Sequence, residues 1–281
     1  MPANIFQIFY DDVTERQLDR GFIALDNRSN PRPDWREYWV IREFFQSNTL
    51  EEEGLYGFFS PLFGGKTGLN SQQVHRFIDD NPDHDVYTFS PFIQDAACYL
   101  NMFEQGNRYH PGMFELAGKF FESIDLNLDL SRLVMDFRST VYCNYIVAKP
   151  VFWKSWFAVN ERLFDEVEQG TSSFARYMNQ ATSYYKMPLG MKVFLSERIA
   201  GIILALDQKL QVAHYDVGKM RYSDPLYYPC RDEMFMLNAL KMAYLDCQEE
   251  RYLELFFSLR KQVLQRCDLR YGDEKRLTFF E

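Results

Sequence analysis

The chain opens on a dense run of apolar and aromatic positions, Asn4 to Tyr10 (NIFQIFY), that stops at Asp11 and Asp12. Such a run predicts a first strand with carboxylates at its C-terminal end. Residues 13–34 read as a loop with a short helix, closing in Asn30-Pro31-Arg32-Pro33-Asp34. Asp34 then serves as N-cap for a helix in which Trp35, Tyr38, Trp39, Ile41, Arg42 and Phe45 fall at helical spacing. Leu55 to Pro61 reads as a second strand, followed by a turn at Gly64-Gly65-Lys66-Thr67-Gly68, and Ser71 caps a helix to about Asp79. A third strand runs from Val86 to Ser90, with helices near 93–104 and 111–122, and Leu133 to Phe137 and Val141 to Ala148 read as buried strands. Pro150 opens a Trp-rich helix from Val151 to about Gln169. Met191 to Gln208 is a strongly apolar helix, and Asp232 to Cys267 is helical in two pieces. Strands alternate with helices over the first 150 residues, which predicts an α/β fold with a mostly parallel sheet flanked by helices. The remainder predicts a mainly helical C-terminal part. No linker divides the chain, so one domain spanning 1–281 is expected, with an α/β part at 1–150 and a helical part at 151–281.

Composition narrows the classes. Of 281 residues 47% are hydrophobic, too many for a disordered chain, and Gly (14) and Pro (11) are too few for a low-complexity one. The net charge of -9 argues against nucleic acid as a partner. The N-terminus carries no basic region followed by an apolar stretch, and no run nears the roughly 18 apolar residues of a spanning helix. The cysteines (98, 143, 230, 247, 267) show no CxxC pair, which predicts free thiols in a reducing cytoplasm. The aromatic content of 17% is high. Trp35 with Trp39, and Trp153 with Trp156, have core spacing. Tyr184-Tyr185 and Tyr227-Tyr228 fall in expected loops and are candidate platforms for a sugar or base.

Several stretches are familiar in their order. They are Phe6-Gln7-Ile8-Phe9-Tyr10, Asp34-Trp35-Arg36-Glu37-Tyr38, Tyr56-Gly57-Phe58-Phe59-Ser60, Lys66-Thr67-Gly68, the block Cys143 to Trp153, and Lys192 to Arg198. Together they resemble a bacterial surface-polysaccharide glycosyltransferase of GT-A-like type. That resemblance implies transfer from a nucleotide-sugar donor to a glycan or lipid-linked acceptor. It implies work in the cytoplasm, with possible peripheral association at the inner face of the membrane, and donor contacts from Gln7 and Tyr10. It also implies a divalent metal, Mg or Mn, where an Asp-x-Asp motif closes a central strand. The literal match here, Asp83-His84-Asp85, precedes its strand instead, so Asp85 is either a displaced metal ligand or part of an acidic entry loop. A non-catalytic scaffold or carbohydrate-binding protein on the same fold is the alternative.

Glycosyl transfer needs a diphosphate cradle, stabilised leaving charge and a base for the acceptor hydroxyl. Asp11 and Asp12 lie past the first strand, either touching base or ribose or forming a turn in which Asp12 caps at Thr14. Lys66 and Thr67 follow two glycines, where backbone and a cation can approach phosphate, or they sit in an exposed turn. Asp136 and Arg138 are placed at the end of an expected strand, Asp136 to hold metal or an acceptor hydroxyl and Arg138 to neutralise diphosphate. The other reading is a local polar pair. Asn144 lies in an apolar run and must be hydrogen-bonded, to a sugar hydroxyl or to backbone. Glu197 sits on a helix apolar all round, with Val193 and Gly201 one turn away on either side, so it is paired across the fold, protonated, or facing a cleft. His110, between two helices in Arg108 to Gly112, is a third catalytic candidate. The acceptor base is left open among Asp85, His110 and Glu197. No HxxxH, GxSxG or GxGxxG pattern supports a histidine metal centre, a serine hydrolase or a dinucleotide enzyme.

Overall fold

A computed structural model describes residues 3–184, 187–221 and 228–271, with side chains described for 3–182, 189–221 and 228–266. Two expected platforms, Tyr185 and Tyr227, lie outside the described residues, as does the side chain of Tyr184.

In chain order the elements begin with β1 (Ala3–Phe9), α1 (Asp12–Glu15), β2 (Ile23–Asp26), α2 (Glu37–Ser47), β3 (Leu55–Phe59), α3 (Phe63–Thr67) and α4 (Ser71–Asp80). Next come β4 (Val86–Thr88), α5 (Ile93–Cys98), α6 (Met102–Tyr109), α7 (Met113–Ser123), β5 (Ile146–Ala148), α8 (Pro150–Gln169) and α9 (Ser173–Asn179). The hairpin β6 (Ala181–Tyr184) and β7 (Met187–Gly190) leads to α10 (Met191–Leu206), β8 (Val212–His214), α11 (Arg231–Cys247) and α12 (Glu250–Tyr271).

Six strands form one sheet in the order β2-β1-β3-β5-β4-β8. All its pairings are parallel except those of β5, which runs against both β3 and β4. The fold is thus α/β with a mostly parallel sheet and a helical C-terminal part, as the alternation of patterns predicts. Side chains alternate between the faces with the period of a strand. Ile8, Tyr56, Phe58, Val86, Ile146 and Ala148 enter the larger core, against α2, α6, α7, α8 and α10. Ile5, Leu55, Phe59, Tyr87 and Val147 enter the smaller one, against α3 and α4. A third cluster joins α5 to the pair α11 and α12. At its centre Lys241 is fully buried, donating to the carbonyls of Tyr99 (2.7 Å), Met135 (2.5 Å) and Ala96.

The aromatics at helical spacing are core. Trp35, Trp153 and Trp156 are buried, and Phe58 meets Trp153 edge-on at 5.4 Å. Trp39 is partly exposed beneath the guanidinium groups of Arg32 (5.7 Å) and Arg42 (5.3 Å). α10 is buried on nearly every side, as an all-round apolar helix must be. A Cβ at Gly201 would lie 2.7 Å from the Ser139 carbonyl, so only glycine lets α10 pass this close to the 139 segment.

Several expectations are corrected. β2, missed as loop, is a short, largely exposed edge strand held by pairing to β1. Residues 64–68 are not an open turn: Phe63–Thr67 make one turn of helix, stopped by Gly68 at φ 75. Asn70, not Ser71, caps α4. Leu133 to Phe137 is not a strand, because Met135 bonds back to the Leu100 carbonyl and Asp136 starts a turn. Only Ile146–Ala148 of the run from Val141 is in the sheet.

Candidate functional site

β1 has β2 on one side and β3 on the other, so the direction of the crossovers reverses beside it. Ligands of open α/β sheets settle past the carboxyl ends of strands at such a point. The reversed β5 brings its start, Asn144, to this same edge.

A pocket opens there, lined by Trp35, Arg36, Glu37 and Tyr38 from the entry to α2, Ser60 after β3, Lys66 of α3, Cys143 and Asn144 before β5, and Val193, Ser196 and Glu197 of α10. Its cavity volume is about 40 Å³. Three of the residues singled out in the sequence, Lys66, Asn144 and Glu197, meet in it.

Each wall is pinned from behind. Asp34 accepts from Lys192 of α10 at 2.5 Å, and the Trp35 indole donates to Glu168 of α8 at 2.9 Å. Tyr38 donates to Glu161, which also takes Arg42 at 2.7 Å. Ser196 donates to Asn160 of α8 at 2.6 Å, fixing the turn of α10 that carries Glu197. Arg198 points away, donating to the carbonyls of Met102 and Phe194 and to Gln105. Ser60 and Tyr145 share a hydroxyl hydrogen bond of 2.7 Å.

The backbone around the pocket is strained. Arg36 (φ 50) and Cys143 (φ 69) adopt positive φ without being glycine, at a cost of about 1–3 kcal/mol each, and Asn144 (φ 51) does so too, as asparagine can more readily. The buried Nε of Arg36 and Oδ1 of Asn144 have no hydrogen-bond partner. Among the described residues the indole nitrogens of Trp39 and Trp156 and the hydroxyls of Thr140 and Tyr142 are left likewise, so this does not set the pocket apart.

Glu197 and Glu37 make no hydrogen bond or ion pair among the described residues. Burial raises the Glu197 carboxyl to about 7; Glu37 adds to the rise, while Arg198 and Lys66 oppose it. A carboxylate so poised can take or give a proton near neutral pH. Lys66 donates to the Cys143 sulfur at 3.2 Å. Burial works against its charge, but Cys143, Tyr145 and Glu197 hold its pKa above the ordinary value. Burial pushes the Cys143 thiol up to about 11, against the pull of Lys66, so it is a neutral thiol at physiological pH.

The other candidates lie elsewhere. Tyr10 is 50% exposed near the pocket, its hydroxyl pKa raised by burial and then by Glu37 and Asp11, with Arg36 opposing. Asp11, not Asp12, caps α1 in a reciprocal box with Thr14. Gln7 accepts from the Asp19 amide at 2.8 Å and lines a separate hollow of about 270 Å³, with Phe22, Leu62 and Phe63, on the other face of the sheet. Thr67 is buried, its hydroxyl donating to the Phe63 carbonyl at 2.7 Å and accepting from the Leu69 amide, so it holds α3 rather than a ligand. His110 is buried, stacked on Phe194 at 3.7 Å and bonded to Thr182 at 3.0 Å. Burial, then Arg198, pull its pKa to about 4, which leaves it neutral and away from the pocket.

Asp136, only 1% exposed, is bound to Arg138 at 2.6 Å, and Arg138 also reaches Asp246. This is the local polar pair, and its position depends on a turn where a strand was expected. Asp85 sits at the start of β4, tied to Lys149 at 3.2 Å and to the Gln211 amide at 3.0 Å. It lies on the opposite edge of the sheet from the pocket. Asp136 and Asp85, proposed as metal ligands, are thus at different ends of β4 and each is occupied by a cation. Among the described residues no group of three or more His, Cys, Asp or Glu could hold a metal ion. A divalent ion on Asp136 and Asp85 does not fit this arrangement.

Sequence reasoning passed over Arg36, Glu37, Ser60 and Cys143. For Arg36 and Glu37 the sequence offers only a charged pair between Trp35 and Tyr38, ordinary at a helix start, and for Ser60 and Cys143 it offers no signal.

The fold and pocket define an α/β protein with an acid–base group, a lysine and unsatisfied polar atoms at the carboxyl edge of its sheet. No family model, no curated protein and no solved structure matches the chain. No helix among the described residues is long and apolar enough to cross a membrane.

Proposed function

We propose that the protein is a GT-A-like glycosyltransferase that moves a sugar from a nucleotide-sugar donor to a glycan or lipid-linked acceptor. The observation that carries this reading is Glu197, without a hydrogen bond or ion pair among the described residues and poised near neutrality, in one pocket with Lys66 at the carboxyl edge of the sheet. Glu197 takes the proton of the acceptor hydroxyl as its oxygen bonds to the anomeric carbon. The bond from that carbon to the diphosphate breaks, and its electron pair leaves with the nucleoside diphosphate. Lys66 stands where it can offset the leaving charge. Tyr10, half exposed near Arg36 and Glu37, offers a ring face to the nucleotide base. Arg138, engaged with two aspartates, is not given this task.

The test is thermal unfolding against a panel of nucleoside diphosphates and nucleotide sugars, with and without Mn²⁺, for the wild type and Lys66→Met. Stabilisation by one nucleoside diphosphate, reduced in Lys66→Met, is expected. Silence across the panel removes the transferase reading and leaves a scaffold or carbohydrate-binding protein on the same fold.

A further inference from the structure

The larger hollow, about 270 Å³ on the other face of the sheet, has no role in the transfer reading. Its apolar walls are Phe22, Pro61, Leu62, Phe63 and Leu69, and its polar side chains are Gln7, Gln17 and Asp19. Gln7 of β1 is only 3% exposed. Its oxygen accepts from the Asp19 amide at 2.8 Å, which settles the orientation of the carboxamide and turns the nitrogen away from that bond. The nitrogen has no hydrogen-bond partner among the described residues. Unlike the buried atoms of Arg36 and Asn144, it keeps surface that a ligand can reach. Asp19 is held in turn, its carboxylate accepting from the Gly21 amide (2.9 Å) and from the Ser71 amide (2.7 Å) and hydroxyl (2.6 Å).

Charge excludes ions. Neither lysine nor arginine is among the described residues that line the hollow; Arg221 donates to the Gly65 carbonyl at 3.3 Å without joining them. An anion would meet the Asp19 carboxylate with no cation to offset it, and a cation would meet an N–H donor. A nucleoside diphosphate therefore does not suit the hollow, and a glycan would set its hydroxyls against apolar walls. What suits it is an uncharged, largely apolar body with one oxygen that accepts without having to donate, as in a ketone or ester. At about 10–15 Å³ per water the hollow holds roughly twenty waters, the bulk of a ligand with on the order of twenty non-hydrogen atoms. The hollow and the Glu197 pocket share one segment: Ser60 and Lys66 line the pocket, Pro61 to Gly65 the hollow.

We propose that this hollow is a second binding site, for a neutral apolar molecule whose carbonyl oxygen accepts from the Gln7 amide. The walls take the body of the ligand out of water, and Gln7 decides which end enters. The amide is fixed before the ligand arrives, so binding satisfies it without first ordering it. The site stands apart from the transferase reading, and Gln7 takes no part in binding the donor.

Saturation-transfer NMR tests the site with benzophenone, a neutral diaryl ketone, and diphenylmethane, the same two rings without the oxygen. Benzophenone is expected to receive saturation from the wild type. Gln7→Glu keeps an acceptor for the Asp19 amide and loses the donor, so it should lower the ratio of benzophenone to diphenylmethane affinity about fivefold or more. Melting curves establish that each variant is folded, and the uncharged Gln7→Met carries this ratio should Gln7→Glu fail to fold. Leu62→Asp places a charge on the wall at a position that is 52% exposed and is the N-cap of α3, where Asp is favoured, and it should weaken both probes. No transfer to benzophenone, an unchanged ratio in the folded Gln7 variant, or undiminished binding in Leu62→Asp overturns the site and leaves the Gln7 nitrogen to water. Nucleoside diphosphate stabilisation that disappears in the folded Gln7 variant hands Gln7 to the donor and overturns the site as well. Benzophenone bound through Gln7 with no nucleotide effect upholds the site and sinks the transferase alone.

Discussion

Replacing Glu197 by glutamine separates stability from function at one atom. In the folded protein, burial and Glu37 lift this carboxyl from the ordinary 4.5 to about 7. In the unfolded chain it ionises at the ordinary value. Between those pH values the native state keeps a proton that the unfolded state has released. The contribution of Glu197 to stability is therefore fully present below pH 4.5 and is lost as pH rises to about 7. At about 1.4 kcal/mol per pH unit, the loss is about 3 kcal/mol. Glutamine has the same shape and no titration. Glu197→Gln should match the wild type in stability at pH 4.5 and exceed it by about 3 kcal/mol at pH 8, while losing transfer activity. Urea unfolding followed by tryptophan fluorescence at pH 4.5, 6 and 8 measures this, with the slope on urea held common to both proteins. A stability difference that does not change with pH, or a variant weaker than the wild type at pH 8, refutes the placement of an unpaired, ionising carboxylate in this pocket.

Other substitutions follow from the same geometry. Lys66→Met removes a cation that opposes the rise at Glu197, so the acid limb of the pH–rate profile should move to higher pH. An unmoved limb with lowered activity would confine Lys66 to the leaving group. Asp136→Asn breaks the contact with Arg138 and should cost about 1–3 kcal/mol in urea unfolding while leaving nucleotide stabilisation intact. Loss of nucleotide binding there would restore Asp136 to the site. Lys241→Met strips the donors from three buried carbonyls and should destabilise by about 3 kcal/mol or more; a loss under about 1 kcal/mol would show that the carbonyls find water.

What could be read from the sequence followed the local signals. α8 and α10 were legible because twenty and sixteen residues respectively of continuous pattern outweigh any single position. β1 and β3 were legible as short aromatic runs between breakers. β2 was not, because its exposed residues carry no core pattern and its strand character comes from pairing with β1, a partner distant in sequence. Asp136 was misplaced for a related reason: an apolar run of strand length also suits a buried turn. At the site, Glu197 stood out because a charge on an apolar helix requires an explanation. Arg36 and Glu37 did not, since a charged pair at a helix start is ordinary and only the positive φ of Arg36 turns it inward. Two wall residues, Lys66 and Asn144, were named for their chemistry, but that they share a pocket with Glu197 is a product of topology.

The reversal of β5 has a consequence for how such a protein can diversify. Parallel strands deliver residues to the carboxyl edge as the chain leaves the sheet, and each departing loop must then make a crossover. β5 delivers Asn144 as the chain enters, at the end of a long irregular stretch, 124–143, that has no crossover to complete. Leu130, Val134, Met135, Val141 and Tyr142 of that stretch are buried and held by the core, so substitutions that leave the sheet as it is are confined to its exposed positions, Asp125, Asn127, Asp129, Ser131 and Arg132. The freedom gained by the reversal is thus narrow: a few exposed positions on a segment whose buried side chains the fold still needs.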